Sequence, residues 1–517
     1  TEPKTYEEAV NSTKAKQWKQ AMQAEVESLE NNNTWTFVDR PKDKNVLPGK
    51  WVYRVKYGAD GQVDKYKARY VAKGFAQVEG IDFFETYAPT CKPETFRTLL
   101  AVAAQKDLHL GQMDVKSAYL HSAIEEEIYL EQPPGFVKRG ENGDTLVCKL
   151  NKSIYGLKQA AKNWYEALAK HLISSGFQRS RNDYCFFTRK EADGTFSYVL
   201  IWVDDIIVAG GSNEIIDSIK SLLKKKFKMD DRGELHWFLG MRILRSEDKI
   251  TVDQEKYIEN VLKQFNMSES KPKVTPGEVN IKLVKDDGEQ ELVDTKLYRS
   301  LVGSLLYIGK QTRPDILNIV NQLSRFFEKP NITHWKAAKH VLRYLKGTVH
   351  LRLTFVKNSS MKLVGDADAD WSGDLDDRKS TTGYYFKFEG NGAAISWEVK
   401  KQATVALSST EAEYQAMASA VQEAIYLRAL MKDFGYPMKE STYIGEDNQS
   451  CIKMCHNPVM HKRSKHIDTK LHFIRERVEN GEVGIHYIPT DDMTADILTK
   501  SLPRVKVEKH RYVLLGN

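Results

Sequence analysis

Ser197 to Gly210 read S-Y-V-L-I-W-V-D-D-I-I-V-A-G. Two adjacent carboxylates, Asp204 and Asp205, stand between two apolar runs. Tyr198–Val203 and Ile206–Ala209 each have the length and β-branched content of a buried strand. The pattern predicts a tight hairpin with the acids at its bend. Ionised carboxylates beside a core need a compensating positive charge. A divalent cation supplies one, and metal-assisted phosphoryl transfer is chemistry that such a site performs. A solvated Asp-Asp turn is the other reading of this window alone.

A third acid strengthens the metal reading. Asp114 ends an apolar strand in L-H-L-G-Q-M-D-V. Three carboxylates from two neighbouring strands suit two Mg²⁺ ions about 3.5–4 Å apart. Tyr119 follows five residues later in D-V-K-S-A-Y. By residue type alone it is an ordinary core aromatic. Upstream, Val63–Lys73 alternates. Lys65, Lys67, Arg69 and Lys73 fall on one face, and Tyr66, Ala68, Tyr70 and Ala72 on the other. A basic strand face suits phosphate contacts, although lysines also protect strand edges. The turn before it is expected at Gly58-Ala59-Asp60-Gly61.

A second acid set lies in the last third. Asp368 ends a strand in L-V-G-D-A-D-A-D-W, with Asp366 and Asp370 as competitors for its role. Glu413 lies in S-S-T-E-A-E-Y, Asp447 in G-E-D-N-Q-S and Asp496 in T-A-D-I-L-T-K. Such a set of four suits two further cations. Both Ser408/Glu411 and Thr410/Glu413 read as capping boxes. Glu413 precedes Met417 and Val421 on the apolar face, so Glu411 is the capping acid and Glu413 the inward one.

The rest of the chain sets bounds. At 517 residues with 41% hydrophobic content it holds about three domains. No apolar run reaches the roughly 20 residues needed to span a bilayer, so no membrane partner is expected. Thr1-Glu2-Pro3-Lys4 carries neither a signal peptide nor an initiator Met, as expected of a processed product or of a piece cut from a longer chain. The net charge of +7 is compatible with a polyanionic partner. Five cysteines, Cys91, Cys148, Cys185, Cys451 and Cys455, are too few and too odd in number for a disulfide framework. Cys451 and Cys455 with His456, His461 and His466 fit no common zinc spacing, and the two thiols are expected to pack on a helix after Asn448. Helices are expected at 14–30, 159–177, 212–228, 295–309, 313–327, 333–346 and 410–434, with a polar connection at 268–296.

Taken together, the motifs carry a resemblance. Y-K-A-R-Y-V-A-K-G-F-A-Q (66–77), Q-M-D-V-K-S-A-Y-L (112–120), Q-P-P-G-F (132–136), S-I-Y-G-L-K-Q-A (153–160) and W-V-D-D-I-I-V-A-G (202–210) occur in order. L-H-W-F-L-G (235–240), S-L-V-G-S-L-L-Y (300–307), T-R-P-D-I (312–316) and R-K-S-T-T-G-Y (378–384) follow. S-S-T-E-A-E-Y (408–414), D-N-Q-S (447–450), K-H-I-D (465–468) and A-D-I-L-T-K (495–500) complete the series. The chain resembles the reverse transcriptase–ribonuclease H portion of a copia-type (Pseudoviridae) LTR retrotransposon Pol polyprotein.

The resemblance implies an α+β right-hand polymerase (fingers, palm, thumb, connection) followed by an α/β ribonuclease H-like domain. It divides the chain into fingers and palm (1–245), thumb and connection (246–355), ribonuclease H domain (356–505) and a C-terminal tail (506–517). It implies RNA- and DNA-directed DNA synthesis from dNTPs, and cleavage of RNA in RNA–DNA hybrids. Asp114, Asp204 and Asp205 become the polymerase acids, and Asp368, Glu413, Asp447 and Asp496 the ribonuclease H acids. Each set would hold two Mg²⁺ ions, with Mn²⁺ as substitute. Arg69, Lys73 and Tyr119 become dNTP contacts, Tyr119 as the gate against a 2′-hydroxyl.

Trp202, Trp237, Leu239, Gly240 and Met241 become nucleic-acid contacts, the last four at the primer grip. Implied partners are a primed RNA or DNA template, the hybrid, dNTPs, an integrase from the same polyprotein and a homodimer. The implied setting is a cytoplasmic virus-like particle, its DNA product destined for the nucleus. A domesticated, catalytically weak binding or particle-assembly protein is the alternative. Two departures stand out: Trp202 replaces the usual Tyr, and Lys158-Gln159-Ala160-Ala161 replaces Lys-Gln-Ser-Pro. The basic stretch Lys462–His472 is expected against the hybrid, and His486 in a structural strand role.

Overall fold

The computed structural model describes residues 2–57, 62–279, 281–286, 288–357, 360–456 and 468–516. Phe196–Trp202 and Asp205–Gly210 form the expected antiparallel hairpin, with Trp202 opposite Asp205. Only Val203 and Asp204 make the turn. The expectation of both acids at the bend is therefore corrected, because Asp205 opens the returning strand. A two-residue connection matches strand twist when its first residue has positive φ. Val203 takes that conformation at φ +55°, at a cost of about 1–3 kcal/mol for a β-branched residue. Its carbonyl accepts from the Trp164 indole N–H at 2.6 Å, and the Asp204 carbonyl accepts from the Val115 N–H at 3.0 Å. These bonds hold the turn.

The returning strand pairs on its far edge with His109–Val115, which sets Asp205 opposite Asp114. The sheet runs Met229–Glu234, His109–Val115, Asp205–Gly210, Phe196–Trp202, Phe186–Lys190, Gln178–Arg179. Its central strands are buried, as their continuous apolar runs require. Helix Asn213–Lys226 covers one side through Ile216, Ile219 and Leu223.

The fingers have their own core. Helix Ala15–Asn31 buries Trp18, Met22, Val26 and Leu29, the face expected from the period. It packs on the hairpin Gly49–Tyr57 and Val63–Ala72, where Ala68, Tyr70 and Ala72 are buried. The Gly58–Gly61 turn lies outside the described residues.

Beyond the palm, Trp237–Phe238, Met241–Arg245, Lys249–Asp253 and Leu353–Val356 form one antiparallel sheet. The divisions at 245 and 355 therefore cut through a single sheet rather than through linkers. Helices Glu255–Gln264, Thr295–Gln311, Leu317–Ser324 and Ile332–Gly347 fill the middle region.

The last unit is a five-stranded mixed sheet. It runs Ala394–Lys401, Thr381–Phe388, Leu363–Asp370, Thr442–Glu446, Val483–Tyr487. The first three strands are antiparallel, and the last two run parallel to Leu363–Asp370. A parallel return needs a crossover, which helix Ser409–Asp433 supplies. The expected C-terminal tail is, up to Leu515, a packed helix. Helix Arg504–Leu515 buries Val507, His510, Leu514 and Leu515 against the domain. One continuous apolar core joins palm, middle helices and last sheet. Across that seam Tyr198 donates to the Phe434 carbonyl at 2.8 Å, and the buried Arg97 guanidinium stacks 3.8 Å from the Trp397 ring.

Candidate active sites

The first site lies at the ends of the palm strands. Asp114, Asp204 and Asp205 are half-buried and share one edge of the sheet. Burial pushes the Asp205 carboxyl up, and the charges of Asp204 and Asp114 push it further. The Gln112 side chain and Arg232 offset part of this. Arg232 donates to Asp114 at 2.5 Å from an exposed position on the neighbouring strand. Like-charge crowding at a solvent-facing edge is what a bound cation relieves.

Behind these acids lies an aromatic group. Tyr119 follows Ser117, which has φ +51°. Its ring meets Tyr155 edge-on at 4.7 Å, and the Arg69 guanidinium lies over Tyr155 at 4.1 Å. Burial, then Asp204, raises the Tyr119 hydroxyl, with Arg69 opposing. Burial likewise raises Tyr155 to about 12. Thus Arg69, Tyr119 and Asp204 converge. The motif around Tyr155 is clamped to the fingers strand. The Ala72 N–H donates to the Tyr155 carbonyl at 2.9 Å, and Gly156 has φ +96° with Ala72 so close that a Cβ would lie 2.0 Å from its oxygen. Only glycine fits there. Gln159 is fully buried and bonds Gln77 and the Asp82 carbonyl. It makes no side-chain cap for the helix starting at Ala160. Lys73 sits half-buried just past the strand end.

The segment at 237–241 is a hairpin with Leu239 (φ +50°) and Gly240 (φ +74°) at its turn. Trp237 is 45% exposed, and Lys256 lies 6.0 Å from its ring. Tyr307 donates to the Leu239 carbonyl. Met241 corrects the expectation of a direct contact. It is buried, because strand alternation turns it with Phe238 into the core. Trp202 is half-buried at the last strand position before the turn.

The second site lies at the ends of the last sheet. Asp368, Glu413 and Asp447 bring one ligand atom each to within 4.8 Å of one another. Asp368 and Glu413 are buried, and Glu413 Oε2 has no hydrogen-bond partner among the described residues. Burial pushes Glu413 well above the usual range, and Asp368, Glu446 and Asp447 push it further. Burial also raises Asp368, with Lys500 opposing. An orphaned oxygen among crowded buried acids fits a divalent cation.

Asp496 stands apart from the three. It pairs with Lys500 at 2.8 Å, and Lys500 reaches Asp368 at 3.3 Å. Burial would lower the Lys500 ammonium, but Asp368 and Asp496 outweigh it and hold it above its ordinary value. The Thr499 hydroxyl also donates to Asp368. Glu411 occupies the cap, its N–H donating to Ser408 Oγ at 3.2 Å and its Oε2 accepting from the Leu407 N–H.

The competing acids have other partners. Asp366 accepts from Tyr385 at 2.8 Å and from the Thr494 N–H at 3.3 Å, with its carboxyl raised by burial to about 6. Asp370 faces Lys282 at 3.7 Å.

Sequence reasoning missed Tyr155, Arg232, Glu446 and Lys500. Glu446 is fully buried beside Asp447, and burial raises it to about 8. Lys500 had a signal: it lies four residues after Asp496. Cys451 and Cys455 are buried on helix Gln449–His456. His461, His466, the K-H-I-D segment up to Ile467, and most of Lys462–His472 lie outside the described residues. His486 is exposed on strand Val483–Tyr487.

These two sheets define a palm-type polymerase unit followed by a ribonuclease H-like unit. A family model described as reverse transcriptase (RNA-dependent DNA polymerase) matches residues 32–279. The retrovirus-related Pol polyprotein from transposon TNT 1-94 of Nicotiana tabacum is 42% identical over 98% of this chain, which spans 38% of that protein. A transposon Ty5-1 protein of Saccharomyces cerevisiae is 36% identical over 60% of this chain and 100% of its own length. A foamy viral protease–reverse transcriptase solved with double-stranded DNA is 12% identical, with TM-score 0.49, covering 91% of this chain and 70% of that one. The chain belongs to the reverse transcriptase family, in the branch carried by transposon Pol polyproteins.

Proposed function

We propose that the protein copies primed RNA and DNA templates into DNA from dNTPs, and cuts the RNA strand of the resulting hybrid. The observation that carries this reading is the pairing of Asp205 with Asp114 beside the Asp204 turn, on a sheet separate from the Asp368–Glu413–Asp447 group. Asp114, Asp204 and Asp205 would hold cations at the first site, and Asp368, Glu413, Asp447 and Asp496 at the second. Bound Mg²⁺ or Mn²⁺ would supply activation of the attacking oxygen and neutralisation of phosphate charge.

The side chains do the rest. Arg69, braced on Tyr155, offers its guanidinium to the triphosphate, with Lys73 beside it. The Tyr119 ring fills the space a ribose 2′-hydroxyl would need. Trp237 and the Leu239–Gly240 turn present an exposed surface for the primer strand, and Trp202 backs the primer end. At the second site, cutting only RNA requires contact with a 2′-hydroxyl. Backbone contacts from Lys and Arg make binding salt-dependent. The same reading sets the protein in cytoplasmic virus-like particles, beside an integrase from its polyprotein and in a homodimer.

The test is primer extension on an RNA template and hybrid cleavage, each with wild type, Asp204→Asn and Asp447→Asn. Asp204→Asn should lose extension and keep cleavage, and Asp447→Asn should do the reverse. Loss of both activities in either folded variant would overturn the two-site assignment. A catalytically silent binding protein is the second reading, favoured by the basic side chains already lying on Asp114 and Asp368. Tight hybrid binding without either activity, in Mg²⁺ and in Mn²⁺, would select it.

A further inference from the structure

The four acids of the second site do not form one group. Asp368, Glu413 and Asp447 converge within 4.8 Å, and Glu413 Oε2 lacks a partner among the described residues. Asp496 instead faces Asp368 across an ammonium. Lys500 Nζ lies 2.8 Å from Asp496 Oδ1 and 3.3 Å from Asp368 Oδ1. Thr499 donates to the other oxygen of Asp368. The Lys500 position is set by the backbone, since its N–H donates to the Asp496 carbonyl at 2.8 Å, closing the short helix Asp496–Thr499.

Two carboxylates this buried cannot both stay charged without a cation between them. The chain provides one covalently. We propose that Lys500 is the built-in cation of the slot between Asp368 and Asp496. On this view, one divalent ion binds tightly between Asp368, Glu413 and Asp447. A second ion enters the other slot only by displacing the ammonium. The inference rests on the ribonuclease H reading of these acids. It adds that the two ion positions are unequal, and that Lys500 makes them so.

The physical basis is competition for oxygens. Mg²⁺ takes oxygen ligands at about 2.0–2.1 Å and gives up its water reluctantly. In the second slot it must also remove Asp368 Oδ1 and Asp496 Oδ1 from a lysine already bonded to both. In the first slot the exchange is smaller, because Glu413 Oε2 has no hydrogen-bond partner among the described residues and Asp368 Oδ2 is held only by the uncharged Thr499 hydroxyl. Removing the lysine charge should therefore tighten the second ion and leave the first nearly unchanged.

The experiment counts bound Mn²⁺ by the electron paramagnetic resonance of the free ion. It uses the full chain carrying Asp114→Asn, Asp204→Asn and Asp205→Asn, which takes the polymerase acids out of the count. The parent should bind one ion tightly. Lys500→Met should bind two, the second at least ~10-fold tighter than in the parent, and Lys500→Arg should bind one. Adding Asp447→Asn should remove the first ion. If Lys500→Met gains no second ion while Asp447→Asn still removes the first, the lysine proposal is overturned. If Asp447→Asn leaves the parent count unchanged, the metal reading of the acid group itself falls.

Thermal unfolding gives an independent readout. Without ions Lys500→Met should melt below the parent, and saturating Mn²⁺ should raise its Tm by more than it raises the parent's. A lysine that merely ties down the loop would give a lower Tm that Mn²⁺ does not restore. Where Lys500→Met does not fold, Lys500→Gln keeps a donor for Asp496 without the charge and is read in the same way.

Discussion

The two acid sites use the same side-chain chemistry in opposite settings. Asp114, Asp204 and Asp205 are half-buried at an open sheet edge, and their internal counter-ion, Arg232, is 53% exposed. Asp368, Glu413 and Asp496 are buried, and Lys500 is wedged between two of them. An open site lets water screen its acids and lets an arginine swing aside. A closed site must carry its compensation within the fold. The difference follows from the substrates proposed for each site. The first must admit a large triphosphate and a primer end, while the second meets a duplex that arrives already formed.

The sharpest way to break the comparison is to remove one acid from each site. Asp204→Asn should lower primer extension by about 10³-fold or more, the loss of several kcal/mol of charge stabilisation. Asp447→Asn should lower hybrid cleavage by a similar ~10³-fold. Crossed losses, measured on the same preparations, would mean that the sites are not independent.

Next in size is nucleotide selection at the open site. Tyr119→Val should reduce discrimination against ribonucleotides by about 10²-fold with little loss of dNTP incorporation. An unchanged ratio of kcat/KM for the two nucleotides would remove Tyr119 from that role.

The closed half should also show its burial in pH dependence. Glu423 lies on the Ser409–Asp433 helix, and burial raises its carboxyl to about 7, with the Ser396 hydroxyl offsetting part. A carboxyl raised on folding stabilises fully below its unfolded value, near 4.5. That contribution is lost as pH rises through about 7. Between pH 5 and 8, wild type should lose about 2 kcal/mol relative to Glu423→Gln in urea unfolding. Equal pH slopes for the two proteins would sink this account.

The smallest effect belongs to the exposed Trp237. Trp237→Ala should slow primer extension about tenfold through lost stacking. Hybrid cleavage should change less than about twofold. A larger effect on cleavage than on extension would shift Trp237 from primer to hybrid.

Legibility from sequence followed periodicity. The helix of Trp18, Met22, Val26 and Leu29 and the palm hairpin were plain because one apolar face repeats at a fixed spacing. The choice of Glu413 over Glu411 as the inward acid came from the same helical spacing. The choice among Asp366, Asp368 and Asp370 did not, since all three alternate onto one strand face. Met241 was misread because motif membership does not say which face of a hairpin a side chain takes. The helix at 504–515 was hidden by its many charges.

By itself the sequence determined which local elements form and which residue types could carry phosphoryl-transfer chemistry. Those depend on spacing within one element, and spacing is written in the chain. Only the tertiary structure decided which acids meet. Asp205 faces Asp114 through strand register, and Asp368 joins Glu413 and Asp447 through a helix crossover. It also decided that Lys500 stands between Asp368 and Asp496. Contacts across long sequence separations depend on how faces pack, and that information is spread over the whole core rather than held in any motif.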